Sequence, residues 1–181
     1  MRRSILGLVL IASLLAVGVG FSAVSASASE EQGTTCATNT GLAKLSPGVS
    51  EEAAIQNVVV KGTLGECSGS TGPTGKYVVH LKTTTAVTCA SLAGEGAVAE
   101  GNEVIKWGKG SGNSKGPLTA SGSLASGFAL SGSITKGPFT GGTVSGSVSG
   151  TPVFTGKGEP CTKKNRLKQI EVAGTTPFAI S

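Results

Sequence analysis

Glycine is distributed along most of this chain, and it restricts the secondary structure more than any other feature. The sequence contains 29 Gly in 181 residues, and each Gly inside a helix costs about 1 kcal/mol relative to Ala. A long helical bundle therefore does not fit. Clusters of Gly, Ser and Pro separate short apolar stretches, a pattern that is typical of strands joined by turns.

Alternation of residue types with a period of two gives the positions of individual strands. It predicts a strand at residues 77–81, and another at residues 103–107 that follows a turn at residues 101–102. The β-branched run at residues 58–60 predicts a strand covered on both faces. Further strands are predicted around Val144 and Val148, around Ile170 and Val172, and around Phe178 and Ile180.

One short unit occurs three times within residues 118–154. It is Ser-Gly-Ser followed by an apolar residue, and it begins at Ser121, Ser131 and Ser145. We interpret it as three hairpin-connected strands, each led by Ser-Gly-Ser. The alternatives are a β-solenoid and a flexible Gly/Ser linker. Apolar residues every few positions argue against a linker.

Together these patterns predict an all-β fold in a single domain at residues 36–181. The expected architecture is an antiparallel β-sandwich or barrel of about 8–10 short strands. A chain of this length buries about two-thirds of its unfolded surface, so it can form a core. The predicted core residues are Leu45, Val58, Val60, Tyr77, Val79, Leu81, Ile105, Trp107, Phe128, Phe139, Val148, Phe154 and Ile170.

The N-terminus has the three parts of a secretory signal peptide. Arg2 and Arg3 precede an apolar run at residues 5–19, and Ala26-Ser27-Ala28 forms a cleavage site. We predict a signal peptide at residues 1–28 and a flexible N-terminus at residues 29–35. The alternatives are a membrane anchor, because such a run is about long enough to span a bilayer, and a lipoprotein.

Export sets the expected location and narrows the partners. We expect a secreted protein, extracellular or in the cell envelope, with no membrane association after cleavage. Loss of Arg2 and Arg3 reduces the 15 basic residues to 13 against 10 acidic ones. A net charge of +3 favours solubility and is not a nucleic-acid signature. The expected partner is a cell-wall polymer, a glycan or a protein, and not a nucleic acid.

Four cysteines lie in the mature part, and an even number in an exported chain predicts two disulfides. Three pairings are open: Cys36–Cys67 with Cys89–Cys161, Cys36–Cys89 with Cys67–Cys161, and Cys36–Cys161 with Cys67–Cys89. We favour the first pairing. A zinc site is not expected, because the chain has no C-x-x-C and a single histidine.

The chain offers few groups for catalysis, since its acidic residues are all Glu and His80 is its one histidine. We expect a non-enzymatic domain with a binding or structural role, without cofactor or metal. One alternative is a secreted hydrolase, with Ser114 in the G-x-S-x-G pattern of residues 112–116 and His80 as its base. Another is a protease inhibitor that presents the loop at residues 68–76.

Three sets of side chains are candidates for binding. Trp107 could be an exposed aromatic residue for a sugar or a peptide, or a core residue at the end of a strand. A basic run could contact anionic polymers or form a solvated loop; it consists of Lys163, Lys164, Arg166 and Lys168. Three glutamates near the predicted turn could hold a cation, although calcium loops usually use Asp; they are Glu95, Glu100 and Glu103.

The order of several short motifs resembles that of small secreted actinobacterial proteins of uncharacterised function. The motifs are Cys36, residues 45–49, residues 61–64, residues 67–69, Cys89, residues 105–107 and residues 136–141. The resemblance covers most of the mature chain. It implies export, a β domain held by disulfides and the favoured cysteine pairing, and it carries no activity.

Overall fold

The computed structural model describes residues 33–69, 71–108 and 110–181. The predicted signal peptide at residues 1–28 lies outside the described residues, as does most of the predicted flexible N-terminus. The first strand begins at Thr34, so the folded domain includes Thr34 and Thr35, which we expected to belong to the N-terminal tail.

Eight antiparallel strands form a closed barrel in which each strand pairs with the next along the chain and the last pairs with the first. The all-β, antiparallel prediction is confirmed, with a barrel as the architecture. The strands have 7 to 16 residues, so most are longer than we expected. They are β1 (Thr34–Val49), β2 (Asn57–Cys67), β3 (Thr74–Thr83), β4 (Ala97–Trp107), β5 (Asn113–Ser123), β6 (Gly127–Ser133), β7 (Thr143–Val153) and β8 (Leu167–Ile180).

Strand β3 shows how the alternation of residues produces the wall of the barrel. Tyr77, Val79 and Leu81 are buried, whereas His80 and Lys82 between and beside them are exposed. Successive side chains of a strand point to opposite faces, so the apolar set faces the interior and the polar set faces solvent. This part of the sequence prediction is confirmed.

Two predicted strand boundaries are wrong because pairing with neighbouring strands overrides the local sequence. Residues 101–102 are not a turn: β4 runs through them, since Gly101 pairs with Leu81 on one side and with Leu118 on the other. The regions around Ile170 and Phe178 belong to a single strand, β8, with irregular register against β7 and β1.

The run at residues 58–60 forms part of β2, but only one face of that strand is covered. Val58 and Val60 pack against the core, and Val59 lies on the other face, half-buried. A closed barrel has a single wall, and none of the described elements is layered on its outside. The expectation of a strand covered on both faces is therefore wrong.

The Ser-Gly-Ser region forms β5, β6 and β7, which are consecutive antiparallel strands as expected. The unit does not lead each strand, however. The copies at Ser121 and Ser131 end β5 and β6, and the copy at Ser145 lies inside β7. Strands with so much Gly and Ser hold their positions here because both edges of each are paired.

The two ends of the barrel are closed by different groups. We call upper the end with the β1–β2, β3–β4, β5–β6 and β7–β8 connections, and lower the opposite end. A π-helical turn at Ser91–Glu95 lies in the β3–β4 connection, and its Leu92 packs with Val49, Val87 and Leu167 at the upper end. At the lower end the apolar cluster contains Trp107, Phe139, Ile134, Val144, Phe178 and Ile180.

Each end also carries one disulfide. Cys36 is bonded to Cys67 at the lower end, and Cys89 to Cys161 at the upper end. This is the favoured pairing, and it is consistent with an oxidising compartment.

Of the predicted core residues, Phe154 is the one that is exposed, at 37%. It follows the end of β7, where the strand pairing that holds side chains inward has ended.

Candidate functional site in the barrel interior

The interior of the barrel contains a cavity of about 130 Å³. Nearly all of its lining is apolar, and it extends between the upper and lower clusters. Several side chains face this cavity and are nevertheless only half-buried, because no neighbouring side chain covers them. These are Val58, Val60, Ala97, Ala120, Phe128, Leu130 and Val172.

Small residues at inward positions explain why the barrel is not filled. An eight-stranded barrel is just wide enough for side chains to fill it or for one small ligand to enter it. Here Ala43, Ala97, Ala99 and Ala120 line the cavity, and Ala99 and Ala120 pair with each other across β4 and β5. The interior therefore keeps space that larger side chains would occupy.

Glu103 is the one carboxyl group on the described cavity wall. It lies in β4 between Val79 of β3 and Gly116 of β5 and is 2% exposed. Its Oε1 atom is buried and has no hydrogen-bond partner among the described residues. Burial disfavours the charged form and raises the pKa of Glu103 to about 7. The cavity thus contains an acid that is uncharged for part of the time at neutral pH.

The remaining polar side chains of the wall are paired within the protein. Tyr77 donates from its hydroxyl to Oδ1 of Asn39 at 2.8 Å, and burial raises the pKa of Tyr77 to about 12. Gln56 accepts from the backbone N–H of Gly48 at 2.9 Å, and Thr83 Oγ1 accepts from the N–H of Gln56 at 3.0 Å. Glu103 is the one carboxyl group on this wall, and its Oε1 has no partner among the described residues.

Trp107 belongs to the floor of the barrel, below the cavity. It is 3% exposed, and its ring meets that of Phe139 edge-to-face at a centroid distance of 5.5 Å. The hypothesis of an exposed aromatic residue for a sugar or a peptide is wrong, because the inward phase of β4 continues through Ile105 to Trp107. The core alternative describes its position.

The basic run lies at the upper end and along the outside of β8. Lys163 forms an ion pair with Glu52, and both side chains are more than half exposed. Arg166 is half-buried, whereas Lys164 and Lys168 are exposed. The four side chains belong to the β7–β8 connection and the first residues of β8, and none of them lines the cavity.

The two residues of the hydrolase hypothesis lie on opposite faces of the barrel wall. Ser114 is fully buried in β5, where its Oγ donates to the carbonyl oxygen of Pro138 at 2.6 Å. His80 is exposed on the outer face of β3. The G-x-S-x-G pattern leads into a strand, whereas a nucleophile elbow leads into a helix. The structure therefore does not bring this serine and this histidine together.

The loop of the inhibitor hypothesis lies at the lower end between β2 and β3, and its last residues, 74–76, already belong to β3. It is closed by a hydrogen bond from the N–H of Cys67 to the carbonyl oxygen of Pro73 at 3.0 Å. The N–H of Ser68 donates to the carbonyl oxygen of Thr35 at 2.8 Å. The loop is thus fastened to β1 beside the Cys36–Cys67 disulfide.

The three glutamates of the proposed cation site do not converge. Glu100 and Glu103 are three positions apart in one strand, so they point to opposite faces: Glu100 is exposed and Glu103 is buried. No cluster of three or more metal-ligating side chains exists within residues 33–69, 71–108 and 110–181. Because residues 101–102 continue the strand, the turn that suggested the site does not exist.

Sequence reasoning missed the cavity and the role of Glu103 in its wall. The signal was present: Glu103, Ile105 and Trp107 alternate with Val104 and Lys106, which places the carboxyl on the same face as two core residues. The assumed turn at residues 101–102 hid that phase. The cavity itself has no local signal, because eight strands contribute to it.

Within the described residues, the fold and the site define a closed eight-stranded antiparallel barrel with an apolar interior and one buried acid. No family model matches this chain, and comparisons with curated proteins and with solved structures gave no match. In the part of the chain that the structure describes, no helix is long and apolar enough to cross a membrane.

Proposed function

We propose that this protein is an exported, non-enzymatic binding protein that holds one small apolar molecule inside its barrel. The observation that carries the proposal is the hollow apolar interior, in which inward-facing side chains such as Val60 and Leu130 remain half-uncovered. Cores are normally packed without such gaps. A ligand that covers these side chains recovers the hydrophobic free energy that the empty barrel lacks, about 25 cal/mol per Å² of apolar surface.

The export part of the proposal rests on the predicted signal peptide and on two disulfides, which persist in oxidising compartments. The binding part agrees with the expectation of a non-enzymatic domain. It locates the ligand inside the barrel instead of at Trp107 or at the basic run. The likeness to small secreted actinobacterial proteins supports export and adds no ligand.

A matched pair of variants tests whether the cavity is the binding site. Benzene is a suitable probe, because an apolar cavity of about 150 Å³ in another protein binds it. Ala120→Leu places a larger side chain in the cavity, and Ala129→Leu adds the same group on the exposed outer face of the neighbouring strand.

Binding of benzene is measured by NMR chemical-shift titration with the mature, disulfide-intact protein. We expect saturable shifts of cavity-lining residues in the wild type and in Ala129→Leu, and at least a tenfold weaker affinity in Ala120→Leu. Absence of saturable binding in the wild type, or equal affinities in the two variants, would overturn the proposal.

A further inference from the structure

Glu103 is the feature of the cavity that an apolar ligand leaves unexplained. A buried carboxyl without a partner destabilises the folded state, and replacing it by an apolar residue would remove that cost. Its Oε1 has no partner among the described residues, and the carboxyl lies on the wall of a space large enough for a ligand. A ligand in this space would supply the partner that the protein itself does not provide.

The groups around Glu103 do not compete for it. From β3, the inward residues are Tyr77, Val79 and Leu81, and from β5 they are Ser114, Gly116 and Leu118. The hydroxyl of Tyr77 is bonded to Asn39, and Ser114 lies between Trp107 and Pro138. On the described wall, Tyr77 is the only other titratable group, and no cationic side chain lines the cavity.

We propose that the barrel selects a small, mainly apolar ligand that carries one basic nitrogen, which binds the carboxyl of Glu103. This inference rests on the proposed function and specifies the class of ligand. The size of the cavity limits such a ligand to about one ring or a short chain, since a slightly larger apolar cavity holds benzene.

The preference for a base follows from the charge that would be buried. A carboxylic acid and a neutral base share one proton, so the pair carries no net charge wherever the proton lies. A ligand with its own carboxylate would bring an uncompensated negative charge into an apolar site, at a high desolvation cost. A purely apolar ligand would leave the carboxyl without a partner. The basic nitrogen is the complement that avoids both costs.

Pyridine and benzene are nearly identical in shape and differ by one ring nitrogen, so they are the probes for this inference. The dissociation constants of both are measured by NMR titration at pH 7 with the mature, disulfide-intact protein. We expect pyridine to bind at least tenfold more tightly than benzene, which corresponds to about 1.4 kcal/mol.

Two matched variants assign the preference to the carboxyl. Glu103→Met removes the acid and keeps the length of the side chain, so the preference for pyridine over benzene should disappear. Glu100→Met makes the same change on the exposed face of the same strand, and it should keep the wild-type preference. Removing a buried unpaired acid is not expected to prevent folding, and an NMR spectrum with the dispersion of the wild type verifies the fold.

The pH dependence provides a second measurement. Binding of pyridine should weaken at low pH, where both Glu103 and the ring nitrogen carry a proton, and at high pH, where neither does. Tyr77 stays protonated throughout this range because its pKa is about 12. Benzene binding should lack the loss of affinity at low pH.

The outcomes separate the two proposals. If benzene binds in the cavity and pyridine binds no more tightly, or if Glu103→Met keeps a pyridine preference, the selection of a base is wrong and the proposed function stands. If neither probe binds the wild type, the proposed function fails as well. A tenfold preference that is lost only in Glu103→Met would support both.

Discussion

The indole N–H of Trp107 donates to Oγ of Ser114 at 2.8 Å, and that same hydroxyl donates to the carbonyl oxygen of Pro138 at 2.6 Å. One serine thereby links β4, β5 and the β6–β7 connection at the floor of the barrel. The hydroxyl that the G-x-S-x-G pattern suggested as a nucleophile satisfies the buried indole N–H and a partly buried carbonyl oxygen.

Ser114→Ala should destabilise the protein by about 1–3 kcal/mol, because it leaves the buried N–H of Trp107 without an acceptor. The free energy of unfolding is measured by urea titration followed by the fluorescence of Trp107, the one tryptophan in the chain. Ser111→Ala is the control, since Ser111 Oγ makes only a long contact to the carbonyl oxygen of Thr71 at 3.3 Å. Equal stability of Ser114→Ala and the wild type would contradict the structural role.

Glu103 should make the protein less stable as the pH rises. Its pKa increases from 4.5 to about 7 on folding, so the folded state binds the proton more tightly than the unfolded state. The associated stability is fully present below pH 4.5 and is lost as the pH rises to about 7. One pKa unit equals 1.36 kcal/mol, so the loss amounts to about 3 kcal/mol.

The effect of the other carboxyl groups cancels when variants are compared. Unfolding free energies of the wild type, Glu103→Gln and Glu100→Gln are measured at pH 4.5 and pH 8. Between pH 4.5 and pH 8, the unfolding free energy of Glu103→Gln should fall by about 3 kcal/mol less than that of the wild type. Glu100→Gln should follow the wild type. A Glu103→Gln curve parallel to that of the wild type would show that the carboxyl titrates normally.

Gly62→Ala should be strongly destabilising, because Tyr77 packs directly over this glycine. A Cβ atom there would overlap the phenol ring of Tyr77 and the backbone oxygen of Thr40. Overpacking of this kind costs about 1–3 kcal/mol. Gly94→Ala is the control, since a Cβ at Gly94 meets nothing within 4 Å. Thermal unfolding should show a lower Tm only for the first variant.

Removal of either disulfide should destabilise the barrel, and the larger effect is expected at the upper end. Cys89 and Cys161 are 72 residues apart, against 31 for Cys36 and Cys67. The chain-entropy model gives about 4.4 and about 3.7 kcal/mol for these loops. Double Cys→Ser variants are compared by urea unfolding, and a larger loss for Cys36/Cys67 would contradict this order.

Sequence reasoning succeeded where the signal is local. The alternation around Tyr77, Val79 and Leu81 predicted the strand and its buried face, and the spacing of Gly and Ser predicted connected strands. It failed at residues 101–102, where Gly-Asn has turn chemistry. There, pairing with β3 and β5 outweighs the local preference.

The candidate site was predictable only in part. The phase of Glu103 with Ile105 and Trp107 is readable from the sequence, so an inward carboxyl could have been found. The hollow interior could not have been found in this way, because its volume depends on the combined size of the inward side chains from all eight strands. Phe154 shows the same limit: its apolar character suggested the core, but it lies beyond the paired part of β7.

By itself, the abundant Gly and the period-two alternation determined that the chain forms antiparallel strands and not helices. Backbone flexibility and side-chain direction are local properties, and so they can be read from neighbouring residues. Only the tertiary structure decided that β8 pairs with β1 and closes the sheet, because that contact joins the two ends of the folded chain. Closure then decided which side chains meet in the interior, and that Glu103 lies there without a partner.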